Sequence, residues 1–230
     1  MVHRVLTVAS ADRVSVVAAL AGGKNRSLIF TRTRRSAHRL ARQLTAAHVP
    51  AVELHGDLGQ NARERSLASF ASGATRVMVA TDIAARGIHV DGIDLVIHAD
   101  PPTEHKAYLH RSGRTARAGA AGVVITLQTP AQEHEVRALM RKASVVPLAA
   151  RVRPGSALLR SIAGEPAEPI APVARPAGRE TAAAATPAHR PRRGRHVHAL
   201  PGPRQALTAP GALAHSDLVL GACDEAHGWR

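Results

Sequence analysis

The stretch Val77-Met78-Val79-Ala80-Thr81-Asp82-Ile83-Ala84-Ala85-Arg86-Gly87 opens with an unbroken apolar run and turns polar at Thr81-Asp82. A short continuous apolar run suits a strand covered on both faces, the habit of parallel sheets flanked by helices. After it the sequence predicts a short helical turn to Gly87. Working outward, the same alternation repeats. Upstream, strands are predicted at Val2–Ala9, Ser27–Phe30 and Ala51–Leu54. Helices are predicted at Asp12–Leu20, ended by Gly22-Gly23, at Ser36–Ala47 and at Gln60–Phe70. The helix over Ser36–Ala47 carries its apolar face on Ala37, Leu40, Ala41 and Leu44. Downstream, Leu95–Ala99 and Val123–Leu127 read as strands, Thr103–Leu109 as a helix capped by Thr103, and Glu133–Arg141 as the closing helix. Strands alternating with helices across short loops define an α/β fold with a mostly parallel sheet and helices on both faces.

Ligands on such sheets gather at the carboxyl ends of the strands. Thr31, His55-Gly56-Asp57, Thr81-Asp82 and Asp100-Pro101-Pro102 each follow a predicted strand, so polar chemistry collects on one edge. Composition agrees with a partner of negative charge. The chain holds 31 Lys+Arg against 17 Asp+Glu, a formal net charge of +14, which favours a polyanion such as nucleic acid. Phe30, Phe70, Tyr108 and Trp229 are the whole aromatic set. Phosphate contact is therefore the better expectation than base stacking. The single cysteine, Cys223, excludes an internal disulfide and a Cys-based zinc cluster. The 14 histidines form no convincing metal motif, so no metal site is expected.

Composition shifts near residue 153. Ten of the 15 prolines lie between Pro154 and Pro210, whereas residues 1–153 hold 22 Lys+Arg and 11 acids. The expectation is a folded domain over 1–153 and a Pro/Ala/Arg-rich disordered tail over 154–230. The tail reads equally as a weakly basic extension around Arg190, Arg192, Arg193 and Arg195 or as the product of a damaged gene. With no signal peptide and no membrane-spanning apolar run, the sequence reading is a cytoplasmic protein without membrane contact.

Three stretches are specific in combination: Leu54-His55-Gly56-Asp57 with Gln60-Asn61-Ala62-Arg63; Val79 through Ile88; and His110-Arg111-Ser112-Gly113-Arg114-Thr115-Ala116-Arg117-Ala118-Gly119. With Leu28-Ile29-Phe30-Thr31 upstream, they resemble motifs IV, V and VI of DEAD-box RNA helicases over residues 1–150. The resemblance implies the second, C-terminal RecA-like domain. It also implies that Arg114 and Arg117 reach the ATP γ-phosphate across a domain cleft, and that His110 couples nucleotide state to RNA. Gly87 and His89 fall at nucleotide-binding positions, although family members commonly have Asp where this chain has His89. Arg63, Thr81, Thr31 and the His55-Gly56-Asp57 loop fall where the RNA sugar–phosphate backbone is held. Ala116 stands where Gly is usual.

From the residues alone, Arg111, Arg114 and Arg117 recur every three positions, so on a loop entering a helix they would project to one side. Planar guanidinium forks suit phosphate oxygens or act as arginine fingers. A solvated arginine face is the bland alternative, as is an exposed Arg63 paired with Glu64. The sequence has no Gly-x-x-x-x-Gly-Lys-Ser/Thr loop. Gly22-Gly23-Lys24-Asn25 lacks its spacing and hydroxyl, and Asp224-Glu225-Ala226-His227 lies at the wrong end of the motif order. The expectation is half of a helicase. It would bind single-stranded or duplex RNA and complete an ATP and Mg²⁺ site only together with a P-loop-containing first domain, with no cofactor for the isolated chain. A non-catalytic RNA-binding module and an inactive remnant remain the alternatives.

Overall fold

A computed structural model describes residues 1–85, 90–116 and 121–167. Seven parallel strands form one sheet: β1 (Val2–Thr7), β2 (Ser27–Phe30), β3 (Ala51–Leu54), β4 (Val77–Ala80), β5 (Leu95–His98), β6 (Val123–Gln128) and β7 (Leu148–Arg151). Their order is β3-β4-β2-β5-β6-β1-β7. Every pairing is parallel, as short apolar strands joined through helices require. Helices α1 (Arg13–Ala21), α2 (Arg34–Ala46), α3 (Gln60–Ala71), α4 (Asp82–Ala85), α5 (His105–Ser112), α6 (Glu133–Lys142) and α7 (Ala157–Ala163) complete the domain.

Successive residues of β2, β4 and β5 point to opposite faces, and both faces are dry. On one side Ile29, Val79 and Ile97 pack with Leu20 of α1, Leu44 of α2 and Leu159 of α7. On the other, Leu28, Met78 and Val96 pack with Phe70 of α3, Tyr108 of α5 and Leu139 of α6. The fold is RecA-like, with the β2, β3, β4 and β5 carboxyl ends on a common edge.

Several expected boundaries move, for identifiable reasons. The first strand stops at Thr7, because Ser10–Asp12 forms a 3-10 turn leading into α1. Helix α2 starts at Arg34, since the Thr33 hydroxyl caps it by accepting from the Ser36 N–H at 3.1 Å. Thr103 does not cap α5; that helix begins at His105 behind Glu104, beyond the two prolines, and runs to Ser112. Its last turn is closed by Ser112 Oγ, which donates to the Tyr108 carbonyl at 2.8 Å.

The expected domain end at 153 falls short, and α6 does not close the fold. Strand β7 adds beside β1, and α7 buries Leu159 and Ala163 against α1. Gly22-Gly23 does end α1, and Gly23 has a second duty. A Cβ there would lie 1.9 Å from the Ala163 carbonyl oxygen, so only glycine admits the end of α7. Lys24 N–H donates to the Glu165 carbonyl, and Asn25 Nδ2 donates to the carbonyls of Ile162 and Ala163. The stretch is thus a docking point for α7. The rest of the expected tail, with Asp224-Glu225-Ala226-His227, lies outside the described residues. No helix among the described residues is long and apolar enough to cross a membrane.

Candidate nucleotide and nucleic-acid interface

Arg111 is the residue around which this edge is built. Its side chain is 5% exposed and forms a fork on Asp82, with Nε to Oδ1 and Nη2 to Oδ2 both at 2.6 Å. Its Nη1 donates to the Asp100 carbonyl at 3.1 Å, and the guanidinium lies 5.2 Å from the Phe30 ring centroid. One side chain therefore ties α5 to the ends of β4, β5 and β2. Asp100 is shared further: its carboxylate accepts from Arg13 Nη1 and from the Arg32 N–H, both at 3.0 Å.

This corrects the expected arginine row. Helix α5 ends at Ser112 with Gly113 as its cap, so the chain leaves a helix here instead of entering one. Arg111 is committed to Asp82 and is not on offer to a phosphate. Arg114 stands one turn further on, its N–H donating to the Arg111 carbonyl at 3.1 Å. His110, Arg114, Asp82 and Phe30 line an open cavity of about 360 Å³ at the strand ends. Beyond Arg114 the loop is pinned by buried Thr115, whose Oγ1 donates to the Ile93 carbonyl at 2.5 Å. Ala116 then adopts φ 57°, a left-handed conformation that glycine takes without penalty. Gly122 is confined by that turn, since a Cβ on it would lie 2.4 Å from Thr115 Oγ1. Arg117, Gly87 and His89 lie outside the described residues.

The second set lines the adjoining part of the edge. Thr81 N–H donates to the Leu54 carbonyl at 3.2 Å and Thr31 N–H to the Ala80 carbonyl at 3.0 Å, which steps the ends of β3, β4 and β2. Thr31 is buried, and its hydroxyl donates to the Thr33 carbonyl at 3.3 Å. His55 is buried too, its Nδ1 accepting from the Asp57 N–H at 3.3 Å. These two side chains shape the loop from inside, whereas Gly56 and Asp57 are exposed at its tip. The Asp57 carboxylate is held by Arg34. Arg63 does not pair with Glu64, which takes Gln60 at 2.7 Å. Arg63 Nη2 instead donates to the Ala84 carbonyl at 2.9 Å, joining α3 to α4.

Sequence reasoning missed Arg13 and Arg34 altogether. Asp82 and Asp100 were visible only as polar residues after strands. Beneath α5, His98 is fully buried between the rings of Phe30 and Tyr108. Burial first, then the charges of Arg111 and His3, hold its pKa well below the ordinary 6.5. Burial likewise pushes the Tyr108 phenol up to about 12, partly offset by hydrogen bonds. Its hydroxyl lies 2.7 Å from His3 Nδ1. The floor under His110 and Arg111 is therefore neutral and packed at physiological pH.

A parallel sheet with helices on both faces and polar groups at the carboxyl ends of its strands is a RecA-like domain. Residues 12–119 match the helicase conserved C-terminal domain. The chain is 30% identical to the E. coli DEAD-box protein SrmB, solved bound to regulator of ribonuclease activity A. It covers 99% of that chain and 73% of its own, with a TM-score of 0.61. Similarity extends to S. cerevisiae Dbp5 bound to RNA and ADP BeF3, at 25% identity and TM-score 0.62, covering 71% of this chain and 46% of that one. DEAD-box ATP-dependent RNA helicase 53 of Oryza sativa subsp. japonica is 46% identical over 116 residues, which is 50% of this chain and 19% of the relative. The chain belongs to the DEAD-box helicase family and carries its C-terminal helicase domain. The matched segment spans about a fifth of that curated relative's length.

Proposed function

We propose that this domain binds the RNA backbone along the β2, β3 and β4 edge and completes an ATP site with a P-loop-bearing RecA-like domain. One observation supports this above others: His110, Arg111 and Arg114 line one cavity, and Arg111 is held in its wall by the fork on Asp82. A charge committed to Asp82 fixes the geometry, and Arg114 is a further guanidinium lining the same cavity. Opposite a nucleotide held by the partner domain, Arg114 and Arg117 would act on the charge developing at the γ-phosphoryl group. Mg²⁺ and the β- and γ-phosphates would be held by the partner's P-loop.

On the RNA side, Thr81 is the buried hinge between the β4 end and α4, and Gly56 offers backbone at an exposed tip. Arg63 holds α4 through the Ala84 carbonyl. Such a surface contacts phosphates and leaves base edges unread. If about three to five phosphates are neutralised, log K should fall against log salt with a slope of roughly −2 to −3.5 on single strands. Fluorescence anisotropy on oligonucleotides of varied sequence measures this. A salt-independent affinity, or a strong base preference, would overturn the backbone reading.

A further inference from the structure

Away from the helicase motifs' shared cavity, helix α2 and strand β3 bring together His38, Glu53 and His55, which form no pattern in the sequence. His38 Nδ1 lies 2.8 Å from Glu53 Oε2, and His55 Nε2 lies 3.4 Å from the same oxygen. All three donor atoms fall within 4.8 Å of one another. His55 Nε2 is buried and makes no hydrogen bond, because its approach to Glu53 is misaligned despite the distance. A buried ring nitrogen without a partner costs free energy. Here it lies 3.4 Å from the carboxylate of a residue that a second imidazole also approaches.

We propose that His38 Nδ1, Glu53 Oε2 and His55 Nε2 form a binding site for a zinc-class divalent ion. Zinc takes imidazole and carboxylate donors at about 2.0–2.2 Å. A tetrahedral ion therefore holds its donors about 3.3 Å apart; the two separations from Glu53 Oε2, 2.8 and 3.4 Å, are close to that, and the two imidazole nitrogens lie within 4.8 Å of one another. Two imidazoles with one carboxylate favour Zn²⁺ or its transition-metal neighbours over Mg²⁺ and Ca²⁺, which prefer all-oxygen sites. The three protein ligands leave one position for water or an anionic oxygen. His38 is exposed, so the ion has a route in.

Loading the site has a local consequence. The Asp57 N–H now donates to His55 Nδ1, so the neutral ring carries its proton on Nε2. Metal at Nε2 moves that proton to Nδ1, where it would meet the Asp57 N–H donor to donor. The His55-Gly56-Asp57 turn must then give way. Resting on the RNA reading above, zinc would compete with RNA for that turn.

Histidine-ring and amide NMR of the full chain during a Zn²⁺ titration tests this, with Mg²⁺ as the comparison ion. The His38 and His55 rings should shift together with one midpoint, accompanied by the Asp57 amide, and Mg²⁺ should move none of them. His38→Ala or the isosteric Glu53→Gln should weaken the His55 response at least about tenfold. His134→Ala, on the exposed face of α6, should leave it unchanged. Separate midpoints for His38 and His55, or an unaltered His55 response in His38→Ala, would overturn the site. Zinc that shifts both rings yet leaves RNA affinity unchanged would overturn only the link to RNA.

Discussion

Removing Arg111 should be strongly destabilising. Arg111→Ala strips two 2.6 Å charge-assisted bonds to Asp82, the 3.1 Å bond to the Asp100 carbonyl and the contact with the Phe30 ring. Breaking a buried pair by deleting one partner costs about 3–5 kcal/mol. The two halves of this pair are unequal, since Arg111 is 5% exposed and Asp82 is 39% exposed. In Arg111→Ala, water reaches the orphaned carboxylate, which places the loss near about 3 kcal/mol. Asp82→Ala strands a guanidinium in a dry site, and its cost should sit nearer about 5 kcal/mol. Arg111→Lys keeps the charge without the planar fork and should fall between wild type and Arg111→Ala. At about 2–4 °C per kcal/mol for a domain of this size, Arg111→Ala should lower Tm by about 6–12 °C. Urea unfolding at constant m measures the same loss as a shift in midpoint. An Arg111→Ala variant within about 1 kcal/mol of wild type, or an Asp82→Ala variant milder than Arg111→Ala, would refute the assignment of Arg111 as the tie between strand ends.

Two further predictions concern the same neighbourhood. Ala116→Gly relieves a φ of 57° and should raise stability by up to about 1 kcal/mol in urea unfolding; a destabilised variant would contradict the backbone geometry. Buried His98 stays neutral when folded but takes up a proton below pH 6.5 when unfolded. Its contribution is therefore intact above 6.5 and is lost as pH falls below it, at no more than about 1.4 kcal/mol per pH unit. His3, whose pKa is lowered by burial and then by the N-terminal amine, acts in the same direction. His98→Gln should flatten the slope of Tm against pH between about 6.5 and 5, and an unchanged slope would exclude His98 as its source.

The strands of the sheet centre could be read to the residue. Ser27–Phe30 and Val77–Ala80 match their expected bounds, because burial on both faces leaves a continuous apolar run with polar residues at its end; the edge strand Ala51–Leu54 matches too, although it carries Glu53 and is only half-buried. Strand β7 left no such mark. It pairs only with β1, and Leu148 remains 56% exposed. Helix α7 is framed by Pro154 and Pro166 and buries only Leu159 and Ala163 of its residues, so composition concealed it. At the strand ends, His110 and Arg114 line one cavity and Thr81 follows β4. The motifs did not separate Arg111 from its neighbours, because its partners lie 29 and 11 residues away in the chain. The grouping of His38 with Glu53 and His55 is likewise tertiary, made by the packing of α2 beside β3.

Under the proposed function, Arg114 belongs to an ATP site whose other half is a P-loop domain. The direct measurement is RNA-stimulated ATP hydrolysis with a DEAD-box first domain fused upstream or supplied in trans. Arg114→Ala should abolish turnover, a loss on the order of 10³ or more, and Arg114→Lys should restore little of it. The RNA affinity of Arg114→Ala should stay close to wild type. Near-full hydrolysis by Arg114→Ala would contradict the account, and so would loss of RNA binding with hydrolysis spared.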